Sequence, residues 1–202
     1  MTRFRLLMCC CAITAVAAVT VAGAASAQTF YVNQRGSSST CLGEGTLACK
    51  TIKEAIALAE KSPAPNTIEV QSNEGEEGLY HESLKLLSPK ASGLTINADE
   101  PGVVIRGNAA PAVASTFAGS LTLSNLSLST TEAALLLATL VDKQTALTLD
   151  NVAVSNEEPG GLAGIEAREH GSVAMNGGSV EMEGTVGGFS VFASEAALAL
   201  SV

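Results

Sequence analysis

From Thr67 onward, apolar and polar residues alternate with a period of two, in blocks that recur along the chain. The lead block reads Ile68-Glu-Val-Gln, then Leu94-Thr-Ile-Asn, Leu121-Thr-Leu-Ser, Leu147-Thr-Leu-Asp, Val173-Ala-Met-Asn and Leu198-Ala-Leu-Ser. The first residues of these blocks stand 26, 27, 26, 26 and 25 positions apart. Successive side chains of a strand point to opposite faces, so each block predicts a strand with one face in a core and the other in water. A fixed period in this range predicts a solenoid, in which stacking of neighbouring repeats supplies a core that no repeat could bury alone.

Each repeat carries more than its lead strand. Leu121, Leu123, Leu126 and Leu128 are apolar between polar Thr122, Ser124 and Ser127, and Leu147, Leu149, Val152 and Val154 copy them, followed by Val173, Met175, Val180 and Met182. A third apolar patch precedes each lead strand, at Val113, Leu135 to Leu137, Ile165 and Val191. Three short strands per coil, with no room for a helix between them, predict an all-β parallel β-helix of 25–27 residues per coil over residues 67–202. The pattern Leu-x-Leu-x-Asn-Leu-x-Leu does not fit the spacing of leucine-rich repeats. At the corner between the first two strands, Asn125, Asn151 and Gly177 align, and both residue types tolerate left-handed backbone geometry. They are expected to be corner residues rather than ligands.

Residues 28–66 have a different texture. Thr29 to Asn33 alternates like a short strand, and Arg35 to Ala48 is a loop rich in Gly and Ser. Over Lys50–Lys61, Ile52, Ala55, Ile56 and Ala59 fall at helical spacing, and Pro63 ends the pattern. This predicts one amphipathic helix.

Ahead of these elements, Arg3 and Arg5, the apolar run Leu6 to Val21 and Ala25-Ser-Ala27 have the order of a secretory signal peptide over residues 1–27, with Gln28 as mature start. Cys9, Cys10 and Cys11 would leave with it. Two cysteines then remain, Cys41 and Cys49, an even count that in a secreted chain predicts one disulfide. A metal pair would need further Cys or His ligands at close spacing, and none follow. Losing Arg3 and Arg5 takes the formal charge from −9 to about −11. Acidic charge without a basic stripe disfavours nucleic acid and anionic membranes as partners, and polyanionic substrates unless calcium mediates. No later apolar run approaches a membrane-spanning length.

Phe30-Tyr-Val-Asn, Gly36-Ser-Ser-Ser-Thr-Cys41 and Ala48-Cys-Lys-Thr-Ile-Lys-Glu-Ala-Ile56, together with the repeats, resemble the secreted bacterial right-handed parallel β-helix proteins of the pectin-lyase-like superfamily. The resemblance implies a right-handed coil plugged at its N-terminal end by a strand, disulfide loop and helix. It implies little about activity, because the superfamily holds lyases, hydrolases, adhesins and proteins without known activity, and fold does not fix function.

The richest polar cluster precedes the lead strands. Coil alignment puts Arg168 over Asp142, Glu169 over Lys143, and His170 between Gln144 and Glu195, with Glu166 pointing outward on the same coil. A lyase needs a base and calcium-binding carboxylates, and a glycoside hydrolase needs two carboxyls about 5–9.5 Å apart. Asp142, Glu166, Arg168, His170 and Glu195 are therefore the catalytic candidates, against the simpler reading of opposite charges matched across coils in a solvated turn. The acidic runs Glu74-Gly-Glu-Glu77 and Glu157-Glu158 could lend oxygens to calcium but read as exposed loops, and no other cofactor is implied. Thr95, Thr122 and Thr148 form an outward ladder interrupted by Ala174 and Ala199, and the sequon Asn125-Leu-Ser127 is expected to carry no role. With no Trp and two Tyr, platforms for stacking sugar rings are scarce.

The sequence therefore points to a secreted or cell-surface module, structural, adhesin-like or glycan-interacting without catalysis in this segment, with an extracellular glycan or a cell-surface protein as partner. The alternative is a polysaccharide lyase or glycoside hydrolase. The sixth repeat stops after one strand at Val202, so the chain reads as truncated, self-associating through its last coil, or covered there by a partner.

Overall fold

The alternation around Leu121–Leu128 builds two strands that meet at a corner, and this unit repeats along the molecule. The computed structural model describes residues 26–63, 65–72, 78–100, 102–107, 111–130, 137–141, 144–156, 163–182, 191–193 and 197–201. Strand β1 (Gln28–Val32) is followed by helix α1 (Ile52–Ala59). The coils then run β2 (Asn66–Val70), β3 (Gly78–Tyr80), β4 (Leu84–Leu86); β5 (Leu94–Ala98), β6 (Val103–Gly107), β7 (Val113–Ser115); and β8 (Gly119–Ser124), β9 (Ser127–Thr130), β10 (Leu137–Val141). In the last coils β11 (Thr145–Asn156) and β13 (Ser172–Met182) each turn the first corner without a break, with β12 (Ala163–Ala167) and β14 (Val191–Ala193) on the third side and β15 (Ala197–Ser201) last.

Every pairing is parallel, and each strand neighbours its counterpart one coil away. The chain is a parallel β-solenoid. Its interior is a set of stacked apolar rows. Phe30, Ile68, Ile96, Leu123, Leu149 and Met175 follow one another in register on the lead face and are all buried. Leu128 and Val154 do the same on the second face, and both are fully buried. Fully burying a side chain of this size contributes about 1.5–3 kcal/mol, so the rows are the main source of cohesion.

The observed register corrects the first repeat. Ile68 pairs with Ile96 and not with Leu94, so this spacing is 28 residues. A slip of two keeps every apolar side chain facing inward, so alternation alone could not detect it. Likewise Val113, Ile165 and Val191 are in register with Thr139, two residues beyond Leu137.

Helix α1 buries Ile52, Ala55, Ile56 and Ala59 and packs on β1 and β2. Its first four amides are all accounted for. Ile52 and Lys53 donate to the two carboxylate oxygens of Glu82 at 2.9 and 3.0 Å, Glu54 donates to the Thr51 hydroxyl at 3.2 Å, and Ala55 donates to the Thr51 carbonyl at 3.4 Å. The Glu54 carboxylate in turn accepts the Thr51 amide, completing a capping box. Cys41 and Cys49 lie at disulfide distance, with Cα atoms 4.8 Å apart. Their loop is also stitched to β1: Tyr31 donates its amide to the Cys41 carbonyl at 2.7 Å and accepts the Cys49 amide at 2.8 Å.

Candidate functional site

The corner between the first and second faces changes along the molecule. More residues separate β2 from β3 and β5 from β6 in the early coils than separate the first two faces in the later ones, where Asn125, Asn151 and Gly177 turn the corner with φ of 57°, 54° and 70°. Asp99, Glu100 and Gly102 form one side of a cleft, its wall, and the tight corners form the other, its floor. The cleft is about 310 Å³ and is lined by Ala98, Asp99, Glu100 and Gly102 on the wall and by Asn125, Leu126, Ser127, Asn151, Ala153 and Gly178 on the floor. Gly178, at φ 83°, lets the floor pass over Val152, whose carbonyl oxygen a Cβ would strike.

A row of side-chain hydrogen bonds runs along the edge of this cleft. Asn97 donates to Glu69 Oε2 at 2.7 Å, and its own Oδ1 accepts from Ser124 Oγ at 2.9 Å and Asn125 Nδ2 at 3.0 Å. Asn151 Nδ2 donates to Asn125 Oδ1 at 3.2 Å, and Asn176 Nδ2 donates to Asp150 Oδ1 at 2.6 Å. Each amide thus donates toward the preceding coil and offers its carbonyl to the next. Register continues the corner row from Asn151 to Gly177, which has no side chain, so no side chain at that position can donate to Asn151 Oδ1.

The acidic wall is held from the coil before. Glu100 Oε2 accepts the Ser72 hydroxyl at 2.8 Å. Burial raises the Asp99 carboxyl above its ordinary value, a side-chain hydrogen bond with Gln71 opposes the rise, and Glu100 and then Glu44 add to it. Behind the wall, Tyr80 is buried and donates its hydroxyl to the Gln71 carbonyl at 2.7 Å. Burial, then Glu82 and Asp99, push its phenol well above the usual range, with a Gln34 hydrogen bond opposing.

Of the charged cluster expected from sequence, Glu166, Arg168 and His170 are among the described residues. Asp142 and Glu195 lie outside the described residues, as do residues 73–77 and 157–160 with the two acidic runs. Glu166 occupies an outward register position beside inward Ile165, yet it is 5% exposed, and its carboxylate accepts a hydrogen bond from Arg168 Nε. Arg168 engages it as an ion pair. Arg168 and His170 are exposed, and His170 takes φ 68° in a turn closed by the Gly171 amide donating to the Arg168 carbonyl at 2.7 Å. Among the described residues, no three His, Cys, Asp or Glu converge on a position that could hold a metal ion, calcium included. No helix of the described residues is long and apolar enough to cross a membrane.

The threonine ladder is longer than the sequence suggested. Thr29, Thr67, Thr95, Thr122 and Thr148 are in register, followed by Ala174 and Ala199. Sequence reading missed Glu69, Asn97, Asp99 and Glu100. The two-residue slip hid the first pair, because it set Glu69 against Thr95 instead of Asn97. Comparison of the chain with protein-family models, with curated proteins and with solved structures gives no match.

Proposed function

We propose that this chain is a secreted, right-handed β-helix module of the pectin-lyase-like superfamily, bacterial in origin, that attaches to an extracellular glycan and does no catalysis in this segment. The observation that carries the reading is the hydrogen-bonded row Glu69–Asn97–Asn125–Asn151 bordering a cleft of about 310 Å³. Polar groups fixed on strands at the coil spacing of roughly 4.8 Å present a rigid, repeating surface to an extended polymer. Right-handedness follows from the strong preference of crossovers between parallel strands. Secretion rests on the leader-like residues 1–27 and on the cysteine pair, and the role of α1 as an N-terminal plug rests on its buried face over β1 and β2.

Against catalysis stands the engagement of Glu166 by Arg168. The test is a panel of soluble and insoluble glycans, with and without calcium. Retention on at least one glycan without release of unsaturated or reducing ends is expected. Release of such ends would make the chain a polysaccharide lyase or glycoside hydrolase instead.

A further inference from the structure

We propose that Asn176–Gly177 is a site of spontaneous deamidation, promoted by the Asp150 carboxylate, through which the strands at the late corner loosen with time. Asn176 is the only asparagine of the chain followed by glycine. In the coils before, the same two register positions hold Ser124-Asn125 and Asp150-Asn151, so the pair arises where the corner residue changes from Asn to Gly. The reaction needs only water. The Gly177 nitrogen gives its proton to solvent and bonds to Asn176 Cγ, while the bond from Cγ to Nδ2 breaks and Nδ2, taking up a proton, leaves as ammonia. Water then opens the cyclic imide at one of its two carbonyls, giving an aspartate with the ordinary backbone or its β-linked isomer.

Three features of the corner favour this step. Asn176 and Gly177 are both exposed, so solvent reaches the reacting atoms. Gly177 has no side chain to screen its nitrogen, and the nearest atom to the space a Cβ would fill is Asn151 Cα, 4.0 Å away. Asn125 and Asn151 are followed instead by buried Leu126 and Val152. Lastly, Asn176 Nδ2 donates to Asp150 Oδ1 at 2.6 Å, so a carboxylate already faces the leaving nitrogen. As that nitrogen takes up its proton the bond becomes charge-assisted, and an acceptor fixed where positive charge develops lowers the barrier. The product then works against the fold. A carboxylate at 176 stands in register with Asp150, and like charges directly opposite destabilise a strand pair. The β-linked isomer also adds a backbone carbon to β13, opposite Ser201 of β15.

The experiment holds the exported protein at neutral and mildly alkaline pH and follows acid against amide at positions 125, 151 and 176 by peptide mapping. The same chain unfolded in guanidinium chloride is sampled beside it. Conversion is expected at 176 well ahead of 125 and 151, and faster at the higher pH. Asp150→Ser, which copies Ser124 at the same register position and so suits the fold, should slow the folded protein about tenfold and leave the unfolded chain unchanged. Asp150→Asn, of the same shape, is the second variant, and melting profiles are recorded for both. Asn176→Asp should reproduce the quickened hydrogen exchange along β15 that develops in the ageing wild type. An amide that persists at 176 in the folded protein while the unfolded chain converts would overturn the site. Equal folded rates in the wild type and both Asp150 variants would overturn the part given to Asp150. Exchange along β15 that is the same in Asn176→Asp and in fresh wild type would overturn the loosening.

Discussion

Glu82 Oε1 accepts the amide of Ile52 at 2.9 Å, across 30 residues of sequence. Its other oxygen accepts the Lys53 amide, so one carboxylate from the turn after β3 closes the N-terminus of α1. The charge also lies at the positive end of the helix dipole. This fastens the helix to the first complete coil independently of the disulfide, and it makes Glu82 a joint between the two parts of the molecule.

Replacing Glu82 with Ala should therefore destabilise the protein by about 1–3 kcal/mol, because Ile52 is fully buried and its N–H is orphaned, whereas Lys53 is exposed and its amide can turn to water. Glu54→Ala, which removes the exposed half of the capping box, should cost less, about 0.3–1.5 kcal/mol. Urea denaturation of the two variants checks the order. Equal losses would mean that the Glu82 contact contributes no more than an ordinary cap.

How much of this was legible in the sequence depends on the range of the interaction. Alternation around Leu123 and Leu149 showed the faces, and left-handed Asn125, Asn151 and Gly177 were readable because a corner forces a local backbone choice. The helix was readable from Ile52, Ala55, Ile56 and Ala59, and its start was written in Thr51 and Glu54, three residues apart as a capping box requires. Glu82 was not readable, since nothing in its neighbours says that a helix end waits there. The cleft was hidden for a related reason: it lies where the connection from β5 to β6 is longer than the corners after it, and a repeat alignment treats such a difference as noise.

Leu123 and Leu149 are in register one coil apart and both fully buried, while Thr122 is on the outer face and half-buried. Either leucine replaced by Ala should lose about 2–5 kcal/mol, the transfer loss plus the cavity. Thr122→Ala should lose far less. Thermal or denaturant melts of the three variants decide it, and similar losses at positions 122 and 123 would contradict the assignment of faces.

The exported protein should contain no free thiol, which mass spectrometry after alkylation reads directly. Reduction removes a constraint worth roughly 2–3 kcal/mol for so short a loop. The backbone bonds from Tyr31 to Cys41 and Cys49 remain. Hydrogen exchange should therefore quicken around residues 36–48 on reduction while Leu121–Ser124 stay protected. Loss of protection in both segments at once would show that the loop and coils unfold as a unit.

Tyr80 sets an alkaline limit. Its folded phenol holds its proton well above the ordinary value, whereas the unfolded chain releases it near pH 10. The folded state then binds more protons, so the contribution is complete below about pH 10 and is lost as pH rises above it. At neutral pH the wild type should exceed Tyr80→Phe by about 0.5–1.5 kcal/mol, the hydrogen bond to the Gln71 carbonyl. By about pH 11 that advantage should shrink toward zero or reverse. A difference that stays constant across this range would contradict the burial of the phenol.

Asn125 tests whether the corner row is backbone geometry or side-chain bonding. Its φ of 57° is a conformation that Ala adopts only at a cost of about 1–2 kcal/mol, and that Gly adopts freely. Its side chain donates to Asn97 and accepts from Asn151, and both bonds vanish in either substitution. Asn125→Ala should therefore lose both contributions and Asn125→Gly only the bonds, leaving the Gly variant more stable by about 1 kcal/mol. The natural Gly177 at the same corner one coil beyond Asn151 shows that the turn accepts glycine. Glycan retention should be measured on the same two proteins. If the row binds ligand, both variants lose retention alike, because both lack the amide. Retention that instead tracks the stability order would assign the asparagines to the corner alone.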